Sequence, residues 1–326
     1  MPVEISDWND LDNVRNDLTS NYVLVTNLDE NTNGYAGIGD DFEPIGDDSG
    51  NEFGGEIDGK GYGITEIEIT KAQQGMALIS SLNGVIKDMF ISGSVTGKDP
   101  DASFLAILSG LNRNGTISNC FVQGEITEAE SRGGLCCGFS DGIVEDSYAI
   151  GTINATSGSS RVGGLIGDSG GGSEAVRCYA AFEGNNVDGG IIGRSRDLPG
   201  HSNTYWDTEI SGVDVSGSDA DVGLNTAEMQ GSEAETNMDG FDFANVWDSV
   251  VESDDDATAD RYPVLLALDR EQQLDAQGIL SLTAFTISAL VNSESVEIQD
   301  IFAQVDGEVR EVTEALALIN GSVEQI

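Results

Sequence analysis

The chain has 326 residues, with 14 Lys+Arg against 58 Asp+Glu and a formal net charge of −44. That balance argues against a nucleic-acid or anionic-membrane binder, which needs basic patches, and the 39% of periodically placed hydrophobic residues argue against a disordered acidic chain. Solubility in molar salt, where the Debye length falls to about 3 Å, explains such a surface, so the expected source is an extreme halophile or a virus of one.

The start, Met1-Pro-Val-Glu-Ile-Ser-Asp-Trp8, has no cationic stretch and no apolar run, so no signal peptide is expected there. No segment approaches the roughly 20 apolar residues of a membrane-spanning helix, and no membrane insertion is expected. Ser6 or Asp7 can cap a short helix that carries Trp8, Leu11, Val14 or Arg15, and Leu18 at helical spacing. A helix there would cover the open end of a repeat array. Tyr22–Leu28 reads as the first strand, and short strands come next around Phe42–Gly46, Phe53–Ile64 and Ile67–Ile69. Between them, Asp29, Asn31, Asn33, Tyr35 and Asp40 fit the spacing of a calcium loop, with oxygens at alternate positions and an acid at position twelve. Calcium is the one cofactor this pattern suggests, although a strand rather than a helix flanks it and Asn-rich turns also form for backbone reasons.

From Gly75 to Trp206 one pattern recurs: a small-residue run, a Gly turn, then a short strand bearing one aromatic. The aromatics Phe90, Phe121, Tyr148, Tyr179 and Tyr205 step by 31, 27, 31 and 26 residues. That period predicts a solenoid, here an all-β, right-handed parallel β-helix. Strict alternation puts Met89, Ile91, Gly93 and Val95 and their later counterparts on the inner face. The aromatics then point outward as a ladder with steps of about 4.8 Å, available as a glycan-stacking or interface surface, or covered by another part of the chain. Cys120 and Cys178 share a repeat position two coils apart, too far for a disulfide, and Cys136 and Cys137 read as core fillers.

After Trp206 comes a long acidic, Gly/Ser-rich stretch to Asp260, with short apolar anchors such as Phe241, Phe243, Val246 and Trp247. Leu265–Leu274 reads as a helix ending the solenoid. Beyond it, Ile279–Val291 alternates as a strand, and 300–312 matches 314–326 position by position. Each copy is strand, Asp-Gly or Asn-Gly turn, strand, which predicts antiparallel hairpins. The expected domains are therefore 1–277, the β-helix with its cap and acidic segment, and 278–326, a small β module for assembly or docking.

Catalysis finds little support. His201 is the only histidine, without a Cys or Ser pattern nearby, and any carboxylate pair among 58 acids is uninformative. Arg161, Arg177, Arg194 and Arg196 form a modest cluster best read as neutralising local acids. The chain is expected not to be an enzyme.

The Gly-Gly-Leu-Ile-Gly copies at 163–167 and the Asn-Cys-Phe run at 119–121 resemble the GLUG-motif repeats of bacterial and archaeal surface proteins. Trp8 through Gly61 resembles the segment that leads into those repeats, and Tyr205-Trp206-Asp207 through Gln230 resembles the segment that usually ends them. The resemblance covers roughly residues 5–275 and implies an adhesin-like β-helix. The tail hairpins resemble small modules of tailed-virus structural proteins. Combined with the absent leader, this makes a spike, turret or tail fibre on the virion surface of a haloarchaeal virus, acting in host attachment, the first expectation. It would form a homo-oligomer, taken as a trimer, bind other virion proteins through its C-terminal module and contact a host glycan or glycoprotein. The alternative is a cellular adhesin or glycan-binding protein at a haloarchaeal surface; a polysaccharide hydrolase or lyase comes third.

Overall fold

A computed structural model divides the chain into two units, Met1–Leu274 and Asp275–Ile326. It describes residues 1–277 except 72, 98–102, 130, 157–160, 197–199 and 252–258, and beyond 277 only the backbone of four short strands.

The first unit opens with β1 (Val3–Ile5), α1 (Trp8–Asn13) and β2 (Asn21–Leu24). Asp7 caps α1 as expected, its Oδ1 accepting from the Asp10 N–H at 2.9 Å, and Trp8, Leu11 and Val14 are buried against the first coil. Next come β3 (Glu56–Asp58) and β4 (Gly63–Ile69). The repeats then supply β5 (Gly75–Met76), β6 (Ile79–Leu82) and β7 (Val85–Thr96). One coil on are β8 (Phe104–Leu105), β9 (Ser109–Asn112) and β10 (Thr116–Ala129). β11 (Arg132–Gly133), β12 (Cys137–Ser140) and β13 (Ile143–Ala155) make the next coil. β14 (Ile166–Ser169) with β15 (Glu174–Asn185), and β16 (Ile192–Arg194) with β17 (Ser202–Asp207), complete the series.

Like strands stack on like in three parallel sheets. The largest runs β1-β2-β3-β7-β10-β13-β15-β17, the second β6-β9-β12-β14-β16 and the third β5-β8-β11. This is the β-solenoid that the repeat period predicts. Because the register is kept from coil to coil, equivalent residues form columns: Ile91, Val122, Ala149 and Ala180 lie side by side in the core. Gly93, Gly124 and Gly151 form another column, in which a Cβ on Gly151 would lie 2.0 Å from the Gly124 carbonyl oxygen. Only glycine fits there.

Strict alternation fails at a point that recurs from coil to coil. Asp88, Asn119, Asp146, Arg177 and Asn203, each two residues before a ladder aromatic, adopt φ between 43° and 56°. This left-handed step bends the strand and resets its parity, so Ile86 and Met89 are both buried in the core. Asn and Asp tolerate the conformation best, and here they also stack, with Asn119 Nδ2 donating to Asp88 Oδ1 at 2.9 Å. The arginine at the fourth position is held by Asp146 one coil below, through Nε–Oδ1 at 2.6 Å.

The four cysteines are free and buried, and the strand β13 separates Cys120 on β10 from Cys178 on β15. Burial pushes the thiols of Cys120 and Cys178 up, and the neighbouring Cys137 thiol together with burial does the same to Cys136, which keeps them unreactive.

The stretch after Trp206 is more ordered than its composition predicts. It forms α2 (Thr208–Ser211), β18 (Asp221–Leu224) and α3 (Gly231–Asn237), then the antiparallel pair β19 (Trp247–Val250) and β20 (Arg261–Leu265). β18 adds one further parallel rung to the large sheet, beside β17. The helix expected from Leu265 begins later: Leu265 closes β20, and α4 runs over 270–277. Tyr262, Pro263, Val264 and Leu265 are all buried in that strand, and the apolar run reflects this burial rather than a helical face. Among the described residues no helix is long and apolar enough to cross a membrane.

In the second unit, β21 (Phe302–Val305) pairs antiparallel with β22 (Glu308–Glu311), and β23 (Leu316–Ile319) with β24 (Ser322–Gln325). These are the paired hairpins read from the tandem repeat. The expected strand at 279–291 and the turn residues 306–307 and 320–321 lie outside the described residues.

Candidate functional site

The aromatic ladder forms as a column. Ring centroids are 4.7 Å apart for Phe90–Phe121, 4.1 Å for Phe121–Tyr148 and 4.7 Å for Tyr148–Tyr179, all stacked. In-register parallel pairing holds the rings at this spacing, because each strand presents the same position about 4.8 Å above the last.

The column is not open to solvent. Phe90, Phe121, Tyr148, Tyr179 and Tyr205 are each at most 4% exposed. Trp247 on β19 lies 5.9 Å from Tyr148 and 5.8 Å from Tyr179, and Tyr262 on β20 lies 6.0 Å from Tyr179. Phe241 packs edge-on against Tyr205 at 5.6 Å and tilts against Trp247 at 4.7 Å. The hydroxyls are claimed as well: Tyr148 donates to Gln273 Oε1 at 3.0 Å, Tyr179 to the Pro263 carbonyl at 2.7 Å and Tyr205 to the Asp239 carbonyl at 3.0 Å. Gln273 itself is fully buried, taking the Leu265 N–H and returning a hydrogen bond to its carbonyl. An exposed ladder that stacks sugars or another subunit is therefore corrected to an internal seam, on which the chain's own residues 239–247 and 262–273 dock. The physical reason is the apolar area of the five ladder rings, four of them stacked, which is far more stable covered than wet.

The calcium loop does not gather into a cation cage. Asp29 Oδ1 accepts from the Asn31 N–H at 2.9 Å and from the Thr32 hydroxyl at 2.8 Å, a local turn. Asn33 Nδ2 donates to Asp7 Oδ2 at 2.7 Å, the Tyr35 hydroxyl donates to the Glu66 carbonyl at 2.9 Å, and Asp40 Oδ1 accepts from the Gly37 N–H at 2.6 Å. Asp29 and Asn31 thus pair with each other, while Asn33 ties the loop to the cap of α1, Tyr35 ties it to β4 and Asp40 closes a turn with Gly37. Among the described residues no group of three or more His, Cys, Asp or Glu side chains could hold a metal ion. Chelation with EDTA is expected to leave the melting temperature unchanged; a fall of several degrees, restored by added calcium, would reinstate the metal.

His201 is buried, and its Nδ1 accepts the Ala175 N–H at 3.0 Å, so the imidazole acts as a backbone acceptor inside the wall. Burial holds its pKa below the usual histidine range and keeps it neutral.

The arginines split into two groups. Arg177 leaves the expected cluster for Asp146 and Glu145. Arg132, which no pattern in the sequence singles out, takes its place beside Arg161, Arg194 and Arg196, all four around the fully buried carboxylate of Asp168. Nε of Arg132 reaches Asp168 Oδ2 at 3.0 Å, while Arg194 grips the same group through Nε–Oδ1 at 2.9 Å and Nη2–Oδ2 at 3.0 Å. Direct pairing of Asp168 on β14 with Arg194 on β16 is a matter of register. The same register puts Phe139 beside Asp168 on the other side, in a small cluster with Phe104 and Leu111. Arg132 lies over the Phe104 ring at 4.5 Å and Arg113 over Phe139 at 5.5 Å.

Fold and packing together define a parallel β-solenoid closed along one flank by its own C-terminal hairpin and helix. The chain is 30% identical over 298 residues to halomucin of Haloquadratum walsbyi, an alignment that takes in 79% of this chain and 3% of that protein. The chain thus spans a small part of the length of the curated relative it matches. It also superposes on the crystal structure of a Bacteroides ovatus protein provisionally called an immunoglobulin A1 protease, with a TM-score of 0.62 and 17% identity, covering 82% of this chain and 93% of that one. That likeness is one of fold alone. No family model matches the chain, and the resemblance to GLUG-motif repeats rests on the residues quoted for it.

Proposed function

We propose that the chain is a non-catalytic β-helix module of a haloarchaeal cell-surface protein, adhesin-like and of the GLUG-repeat type, working as a rigid salt-tolerant rod. The observation that carries this reading is the similarity to halomucin along most of the chain, since its name places that protein among mucins, which coat the outside of cells. The net charge of −44 and the stacked-coil architecture support it: an acidic surface stays hydrated in molar salt, and a solenoid in which each coil contacts only its neighbours makes a stiff spacer. A relative from a haloarchaeon favours this cellular reading over a spike, turret or tail fibre on a virion, which rests on the tail hairpins. The likeness to a protein called a protease brings no activity with it, because fold does not carry chemistry.

In this reading the unit from Asp275 onward is an assembly or docking module, and the rods associate with one another. Labelling intact, unpermeabilised cells with antibody raised against the folded chain tests the proposal. Label at the cell boundary is the expected result. Label confined to purified virions, or to the cytoplasm after permeabilisation, would overturn it.

A further inference from the structure

Four of the chain's 14 basic residues meet at one carboxylate, in a protein with 58 acids. Among the described residues Asp168 is the only carboxylate within ion-pair distance of these guanidiniums, so within that set four positive charges face one negative charge. Asp188 accepts the backbone N–H groups of Arg161 and Val162 rather than a guanidinium. Charge neutralisation of Asp168 takes one guanidinium and its hydrogen bonds engage two, so neither by itself accounts for all four arginines.

The four arginines divide by role. Arg132 and Arg194 hydrogen-bond Asp168 directly, and Arg132 also rests on Phe104. Arg161 and Arg196 stand back at 3.5 and 3.9 Å, the latter with 54% of its side chain exposed. Burial, together with the nearby charges of Arg132 and Arg194, holds the Arg161 guanidinium below its usual range, as expected of a site short of negative charge. The arrangement also climbs the solenoid. The bridge between Gly133 and Val162 puts Arg132 and Arg161 at equivalent positions of successive coils, and Arg194 lies further up on β16.

We propose that this outer face, built from Arg132, Arg161, Arg194 and Arg196, binds the oxyanions of a linear acidic polysaccharide, carboxylated or sulfated. Guanidinium groups match both oxyanions through paired N–H donors. The cluster draws arginines from successive coils stacked about 4.8 Å apart, which suits a ligand that carries several charges along its length. A thin polymer can cross the cluster without approaching the acidic remainder, since screening in molar salt confines repulsion to about 3 Å. A broad acidic protein face would have to press against that remainder.

The proposal adds a partner to the surface reading, and failure to bind would leave the antibody result untouched. The test uses the full chain in molar KCl, with calorimetric titration of polygalacturonate, dextran sulfate, neutral dextran and inorganic sulfate. Binding of at least one polyanion and none of neutral dextran is expected. The double variant Arg161→Gln/Arg196→Gln, which keeps both hydrogen-bonding arginines on Asp168, should fold with an unchanged melt and weaken binding at least about tenfold. Asp168→Asn, if its melt shows it folded, should bind more tightly. Equal binding by the double variant and the parent chain, or no binding of either polyanion, would overturn the proposal. Binding of inorganic sulfate alone would overturn the polymer as its source.

Discussion

Replacing Trp247 by alanine is expected to lower the stability of the first unit by about 3–5 kcal/mol, the usual loss for truncating a buried tryptophan. Trp247 has no exposed surface and touches the ladder at Tyr148 and Tyr179 while also carrying Phe241, so its removal opens a cavity between the solenoid and its cover. Its indole N–H faces Asp146 Oδ1 at 3.4 Å, a contact that is lost with the ring. The coils beneath hold each other through their own ladders and should persist. The variant should therefore keep its β-type far-ultraviolet spectrum, lose near-ultraviolet ellipticity, melt earlier and be cut more readily by protease beyond Asp207. A loss below about 1 kcal/mol with unchanged proteolysis would show that the cover does not depend on this residue.

Asp221→Asn is expected to act in the opposite direction, and only in part of the pH range. Asp221 lies on β18, the added rung opposite Thr204 of β17, and is 9% exposed. Its carboxylate accepts hydroxyl hydrogen bonds from Thr204, at 2.6 Å, and from Ser216. Burial nevertheless outweighs these and pushes the carboxyl up to about 6 from its ordinary 3.8. Below about pH 4 the group is protonated folded or unfolded and contributes nothing to pH dependence. Between about 4 and 6 the folded chain binds the proton better, so stability falls as pH rises. Above that range the buried ionised group costs about 3 kcal/mol. An asparagine can still accept from one hydroxyl and donate to the other, without the charge. Melts of the two proteins in molar salt should coincide near about pH 4 and separate through about pH 6, with the variant a few degrees higher at about pH 8. A gap independent of pH would refute this account of Asp221.

The repeat period, the strand columns and the capping helix were legible because each arises from local spacing. Five aromatics recurring at intervals of 26–31 residues leave little besides a solenoid, and Asp7 before Trp8 and Leu11 marks a helix start. Parity was legible only in part. The left-handed step at Asp88 and its equivalents breaks the alternation, and a run such as Lys87-Asp88-Met89 does not announce it, since Asp and Asn are equally common in ordinary turns.

The ladder and the arginines show where local reading ends. Both faces of the long strands carry apolar residues, and alternation places the ladder opposite the core without saying whether it is wet. Its cover arrives from 34 residues away at the nearest hydrogen bond, Tyr205 to Asp239, and from 125 residues away at the farthest, Tyr148 to Gln273. Likewise Arg132 is 36 residues from Asp168, and only coil stacking brings them together.

By itself, then, the sequence determined the solenoid, its strongly acidic character and its paired tail hairpins, because these depend on period, composition and turn chemistry. Tertiary structure alone decided that the aromatic column is an internal seam and that four arginines surround one buried aspartate. The reason is physical: burial and charge pairing arise between residues far apart in the chain, and neither leaves a periodic trace along it.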